Sequence, residues 1–174
     1  MATSVKQRNE DRGRTIKDYL PLIALIALML SAASALQVRA DIAGGTTFMH
    51  HFMGFFLVVY AMFKIFDLEG FADGFEMYDL LASRLRAYAF VYPFIELALG
   101  LAYLSFALPT VTYILTILVF GFGTLGVFDA LRKGLDLDCP CMGSVLSVPL
   151  STVSLVENVG MSVMAAVMLI SRLS

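Results

Sequence analysis

Five stretches of this sequence are long, apolar and almost free of charge, and they leave few folds open. Tyr19 to Leu36 holds 18 residues with no charged side chain, and Val111 to Phe128 holds another 18. Thr46 to Phe63 is again 18 residues long, with His50 and His51 as its only basic groups. Ala87 to Leu108 runs for 22 residues with Glu96 as its one acid, and Ser151 to Ser171 for 21 with Glu157. About 20 apolar residues in a helix cross the roughly 30 Å of a bilayer's hydrocarbon. A helix also satisfies every backbone group where no water is present. The expected fold is therefore all-α: a polytopic membrane protein with about five transmembrane helices, near 19–36, 46–66, 87–108, 111–131 and 149–171. Residues 1–18 form a polar head and 19–174 a single transmembrane domain. Gly121, Gly123 and Gly126 fall inside one of these windows, where small residues let helices approach closely.

Composition excludes the alternatives. Apolar residues make up 59% and charged residues 15% of the chain, against about 25% charged in a soluble domain. A net charge of -2 offers no basic stripe for nucleic acid. Two cysteines are too few for a secreted disulfide scaffold. The lipid bilayer is the expected partner. The first window, with basic residues before it and the run Ser31-Ala32-Ala33-Ser34-Ala35 at its end, also has the outline of a signal peptide. The long head with Glu10, Asp11 and Asp18 favours an uncleaved helix.

Orientation follows from Lys and Arg. With the N-terminus inside, ten of the 12 basic residues collect on the inner side and two on the outer. The N-terminus is therefore expected to be cytoplasmic, as is the segment Lys64 to Arg86. In that segment Phe75, Tyr78, Leu81, Ala82 and Leu85 are spaced for a short interfacial helix over Asp73 to Leu85. The five acids in or before it (Asp67, Glu69, Asp73, Glu76 and Asp79) would be repelled by anionic lipid, so it is expected to pack against the bundle mouth.

The chemistry concentrates between the last two windows, in Asp136-Leu137-Asp138-Cys139-Pro140-Cys141-Met142-Gly143. Both cysteines of the chain stand here with one proline between them. Free cysteines often serve as small core hydrophobes. Two of them, paired beside Pro140 and Gly143 in a polar connection, point instead to reactive thiols. Such a pair can form a tight disulfide that passes on its oxidising equivalent readily. It can equally seat a soft cation such as Cu(I), Hg(II) or Zn(II). Spacing does not choose between them. Met49-His50-His51-Phe52-Met53 opens the second window and offers further soft-metal ligands, or merely interfacial side chains.

Glu96 lies ten residues into its window, where an ionised acid is costly and is expected to be protonated or paired within the bundle, for instance with Asn158. Pro93 just before it interrupts the helical ladder. Lys64, at the inner end of its helix, can snorkel to the interface, and 14 residues place it on nearly the same face as His50.

These residues resemble a family. Met53-Gly54, Lys64 with Asp67, Pro93-Phe94-Ile95-Glu96-Leu97-Ala98-Leu99-Gly100 and Cys139-Pro140-Cys141-Met142-Gly143 are similar to the MauE/DoxX-like redox-associated membrane proteins, over about Thr46 to Leu173. The resemblance implies a four-helix core bundle with one extra N-terminal transmembrane helix, in a bacterial inner membrane. It implies that Cys139 and Cys141 handle disulfides alongside a thioredoxin- or glutaredoxin-like partner, with Pro140, Gly143, Glu96, Lys64 and Asp67 in support. It also suggests a broad likeness to quinone-linked disulfide-forming membrane proteins, so the cofactors to consider are a quinone or a soft metal ion. Proline between the cysteines replaces the more common glycine, and there is one cysteine pair where quinone-linked oxidases relay through two. The expected function is thiol–disulfide exchange; the alternative is soft-metal binding or transport by the same sulfurs, with Met49, His50, His51 and Met53 as an outer cluster.

Overall fold

The computed structural model describes residues 20–40, 45–132 and 150–173, and all the regular structure among them is helical. Six helices follow in order: α1 (Leu20–Ala40), α2 (Gly45–Phe66), α3 (Leu68–Phe75), α4 (Arg86–Leu104), α5 (Pro109–Arg132) and α6 (Leu150–Leu173). Four are long and apolar enough to cross a membrane: α2, α4, α5 and, from Ser154, α6. The apolar run of α1, Leu22–Val38, is shorter. Burial is inverted relative to a water-soluble protein. Leu118 and Ile170 are 62% and 64% exposed, while Glu96 is fully buried and Lys64 is 3% exposed. Large aliphatic side chains that face outward need hydrocarbon around them, so the bundle reads as lipid-embedded.

Two close helix pairs make the bundle. In one, α2 lies against α4 at Gly54 and Gly100. A Cβ on Gly100 would stand 2.9 Å from Val58 Cγ2 and 3.0 Å from the Val58 backbone nitrogen. In the other, α5 lies against α6, where Gly123 faces the Asn158 amide. Small residues at both seams let the backbones approach. The core between the pairs includes Met53, Leu57, Tyr60, Tyr103, Phe120, Met161 and Met168. Met29 reaches it from α1, which packs chiefly on α2.

The segment after α2 departs from expectation. The helix covers Leu68–Phe75 and not Asp73 to Leu85, because the Asp67 carboxylate caps it by accepting from the Gly70 amide at 3.2 Å. Downstream, the Asp79 carboxylate accepts from the Leu81 and Ala82 amides at 2.9 and 2.8 Å and turns the chain out of the helix. Phe71, Phe75, Tyr78 and Ala82 are buried against Tyr92, Val127 and Ala130, so the segment closes one mouth of the bundle. Leu81 and Leu85, expected on the same face, are exposed. The third apolar window also stops early, at Leu104. Phe106 and Leu108 take left-handed backbone angles (φ 54° and 41°), and Pro109 opens α5. A residue before proline is pushed away from helical geometry.

Candidate functional site: a buried charge triad beneath the α3 mouth

The inward face of α2 carries His50, Met53, Leu57, Tyr60, Ala61 and Lys64, three or four residues apart. Lys64 does not snorkel outward. Its ammonium turns into the bundle and donates to Glu96 Oε2 at 2.6 Å and to Glu157 Oε1 at 3.4 Å. The side chains of Lys64, Glu96 and Glu157 are 3%, 0% and 5% exposed. Glu96 is thus paired within the bundle, by Lys64 and not by Asn158. A carboxylate and an ammonium at this separation in a poorly solvating interior attract strongly, and each offsets the other's desolvation. Rings complete the cage: the Lys64 nitrogen lies 5.3 Å from the centre of Tyr92, 5.7 Å from Phe71 and 6.0 Å from Tyr60.

One ammonium faces two carboxyl groups, so the triad is neutral only when a proton is shared between the acids. Glu96 Oε1 is buried and has no hydrogen-bond partner among the described residues. A cavity of about 10 Å³, near the size of one water centre, adjoins the triad between Lys64, Tyr78, Ser154, Glu157 and Asn158. Tyr78, outside the spans, hydrogen-bonds with Ser154, and burial followed by the Glu157 carboxyl pushes its hydroxyl well above the usual phenol range. Burial likewise raises the Asp79 carboxyl, against the pull of the Ala82 and Leu81 amides. Glu157 is the member that sequence reading leaves unassigned. The signal was present, since it is the one acid in the last apolar window, as Glu96 is in the third.

The remaining candidates stand elsewhere. Asp67 is the cap of α3 and is not part of the triad. His50 lies at the opposite end of the bundle, where its Nδ1 donates to the Tyr103 carbonyl at 3.1 Å and its Nε2 accepts from the Tyr113 hydroxyl at 2.5 Å. It stacks on Phe106, ring centres 4.4 Å apart. A metal at His50 would have to displace one of these partners. His51 meets the edge of Phe106, Met53 is fully buried in the core and Met49 packs beside it. No group of three or more His, Cys, Asp or Glu among the described residues could hold a metal ion. Tyr113→Phe leaves the buried Nε2 without a donor and should cost about 1 kcal/mol, read as a lower melting temperature in detergent. An unchanged melting temperature would mean that the bond to Tyr113 contributes nothing. Cys139, Pro140, Cys141 and Gly143 lie outside the described residues.

A family model described as methylamine utilisation protein MauE matches residues 42–171. Comparison with curated proteins and with solved structures finds no match. The matched region takes in α2 to α5, all but the last two residues of α6, and the connection that carries the cysteines. The chain therefore belongs to the MauE family and is an integral membrane protein of the methylamine utilisation type.

Proposed function

We propose that this protein exchanges disulfides across Cys139 and Cys141 with a thioredoxin-like partner at the cytoplasmic face. The observation that carries the reading is the family match running through a connection whose two attachment points lie at one mouth. That connection leaves α5 after Arg132 and joins α6 at Leu150. The end of α5 packs there on the α3 segment through Val127 and Ala130. Arg84, Arg86 and Arg132 are exposed at the same mouth, which supports its cytoplasmic placement.

In the exchange, one thiolate attacks a sulfur of the partner's disulfide and forms a mixed disulfide. The second thiolate then attacks the first sulfur and releases the partner as a dithiol. The Cys139–Cys141 pair is oxidised by two electrons and the partner is reduced by two; the reverse runs through the same intermediate. Supporting roles fall to Pro140 and Gly143 in shaping the loop, and to Lys64 and Glu96 in holding the bundle beneath it.

Single Cys139→Ser and Cys141→Ser variants test this. One of them should accumulate a reductant-sensitive mixed disulfide with a thioredoxin-like protein, and the double variant should accumulate none. If neither single variant traps a partner and wild-type thiols stay reduced under a mild oxidant, exchange is not the function. The soft-metal reading uses the same sulfurs, and with His50 already engaged it draws little from α2. Copper or zinc that stays bound to wild type and is lost from Cys139→Ser would favour it.

A further inference from the structure

Polar groups at the α3 mouth lead inward to the triad. Outermost is a recess of about 120 Å³, lined by Tyr78, Asp79, Ser83 and, from α5, Asp129. Tyr78 is also a wall of the water-sized cavity beneath, which it shares with Lys64, Ser154, Glu157 and Asn158. One tyrosine therefore borders both spaces, and it hydrogen-bonds with Ser154. Beyond the cavity Lys64 bridges Glu157 to Glu96, whose Oε1 is buried with no hydrogen-bond partner among the described residues. The other titratable groups around the triad are Tyr60 on α2, Tyr92 on α4 and Tyr78 after α3. On the α5 side Gly123 borders the cavity and Asp129 only the recess, while α1 brings just Leu22 and Ile26 to the apolar space behind Glu157.

We infer that the triad is a proton-binding site, loaded from water at the α3 mouth by way of Tyr78 and Ser154. Two carboxylates against one ammonium leave a net negative charge on side chains that are at most 5% exposed. In such surroundings an unbalanced charge is costly, and a buried acid takes up a proton instead. A metal cation would answer the same charge, but the Lys64 ammonium is itself a wall of the cavity and repels it. In the transfer, a water in the cavity gives a proton to a carboxylate oxygen of the Glu96–Glu157 pair and takes one from the hydroxyl beside it. That hydroxyl is resupplied through Tyr78 from water in the recess. One O–H bond forms on the acid pair, the net change outside is one proton taken from bulk water, and no electrons change hands. This inference is independent of the thiol exchange and survives its failure.

The test uses the full chain in detergent and the infrared C=O stretch of a protonated carboxyl, which moves on deuteration. Wild type minus Glu96→Gln and wild type minus Glu157→Gln should each show one such band, because a single remaining carboxylate balances Lys64 without a proton. The band should fade as pH rises. Asp79, the other buried carboxyl among the described residues, is common to all three proteins and cancels in the differences. On mixing into D2O, exchange of the band should slow about tenfold in Tyr78→Phe, which lacks one hydrogen-bonding hydroxyl of the route. It should keep its rate in Tyr60→Phe, whose ring lines the apolar space and not the water-sized cavity. Ser154→Ala should slow exchange likewise, and takes the place of Tyr78→Phe if that variant does not fold. A null difference for either Gln variant at every pH where the protein is folded overturns the site. So does loss of the band when sodium replaces choline at constant pH, which would give the charge balance to a metal cation. Exchange as fast as wild type in a folded Tyr78→Phe or Ser154→Ala protein overturns the route.

Discussion

Lys64→Met is expected to destabilise the folded bundle by about 3–5 kcal/mol, because it leaves two buried carboxyl groups without their shared cation. The chain has no tryptophan, so loss of helical circular dichroism on heating in detergent is the appropriate measurement. Glu96 is the harder hit of the two acids: it is fully buried, and its bond to Lys64 is the shorter at 2.6 Å. The double variant Lys64→Met with Glu96→Leu should recover a large part of the loss, since removing both members of a buried pair removes the uncompensated charge as well. The two substitutions touch one interaction, so their effects must not add. A Lys64→Met protein that melts like wild type would show that Lys64 does not hold the acids.

Gly100→Val should cost about 3 kcal/mol, the upper part of what overpacking does in a tight interior. At Gly100 the first added carbon already lies 2.9 Å from Val58 Cγ2 and 3.0 Å from Leu57 Cβ and the Val58 nitrogen. One of those atoms is backbone and cannot move aside without separating α2 from α4. Gly54 answers from the other helix, where an added carbon would meet Leu104 Cγ at 2.6 Å and the Gly100 carbonyl oxygen at 3.1 Å. Gly121→Ala, with nothing within 4 Å of its new carbon, is the control and should not lower the melting temperature. Equal melting of Gly100→Val and Gly121→Ala would contradict a close α2–α4 seam.

The helices were readable because a bilayer demands uninterrupted apolar length, and charge-free windows record that demand directly. That Glu96 would be protonated or paired within the bundle was readable too, since an ionised acid in such a window is costly; Lys64, one residue past its window, was read as snorkelling to the interface. Their pairing was not. Lys64 and Glu96 are 32 positions apart and on different helices, and nothing in either window says which neighbour each helix will face. The boundary of α3 was missed for a local reason: the period of Phe75, Tyr78 and Leu81 suits a helix, but the Asp67 and Asp79 side chains hold backbone amides that start it earlier and end it sooner. Likewise the sequence leaves His50 open between an interfacial side chain and a soft-metal ligand, while in the fold Tyr103 and Tyr113 occupy both its nitrogens. The thiol pair, the most conspicuous feature of the sequence, falls outside the described residues.

The family match starts at residue 42, just past the end of α1, yet α1 supplies Leu22 and Ile26 to an apolar cavity of about 250 Å³ that it shares with α2 and α6. The part of the chain that the family model covers and the wall of that cavity are thereby separable. Exchanging Leu22 or Ile26 would resize that space while leaving Lys64, Glu96 and the two glycine seams untouched.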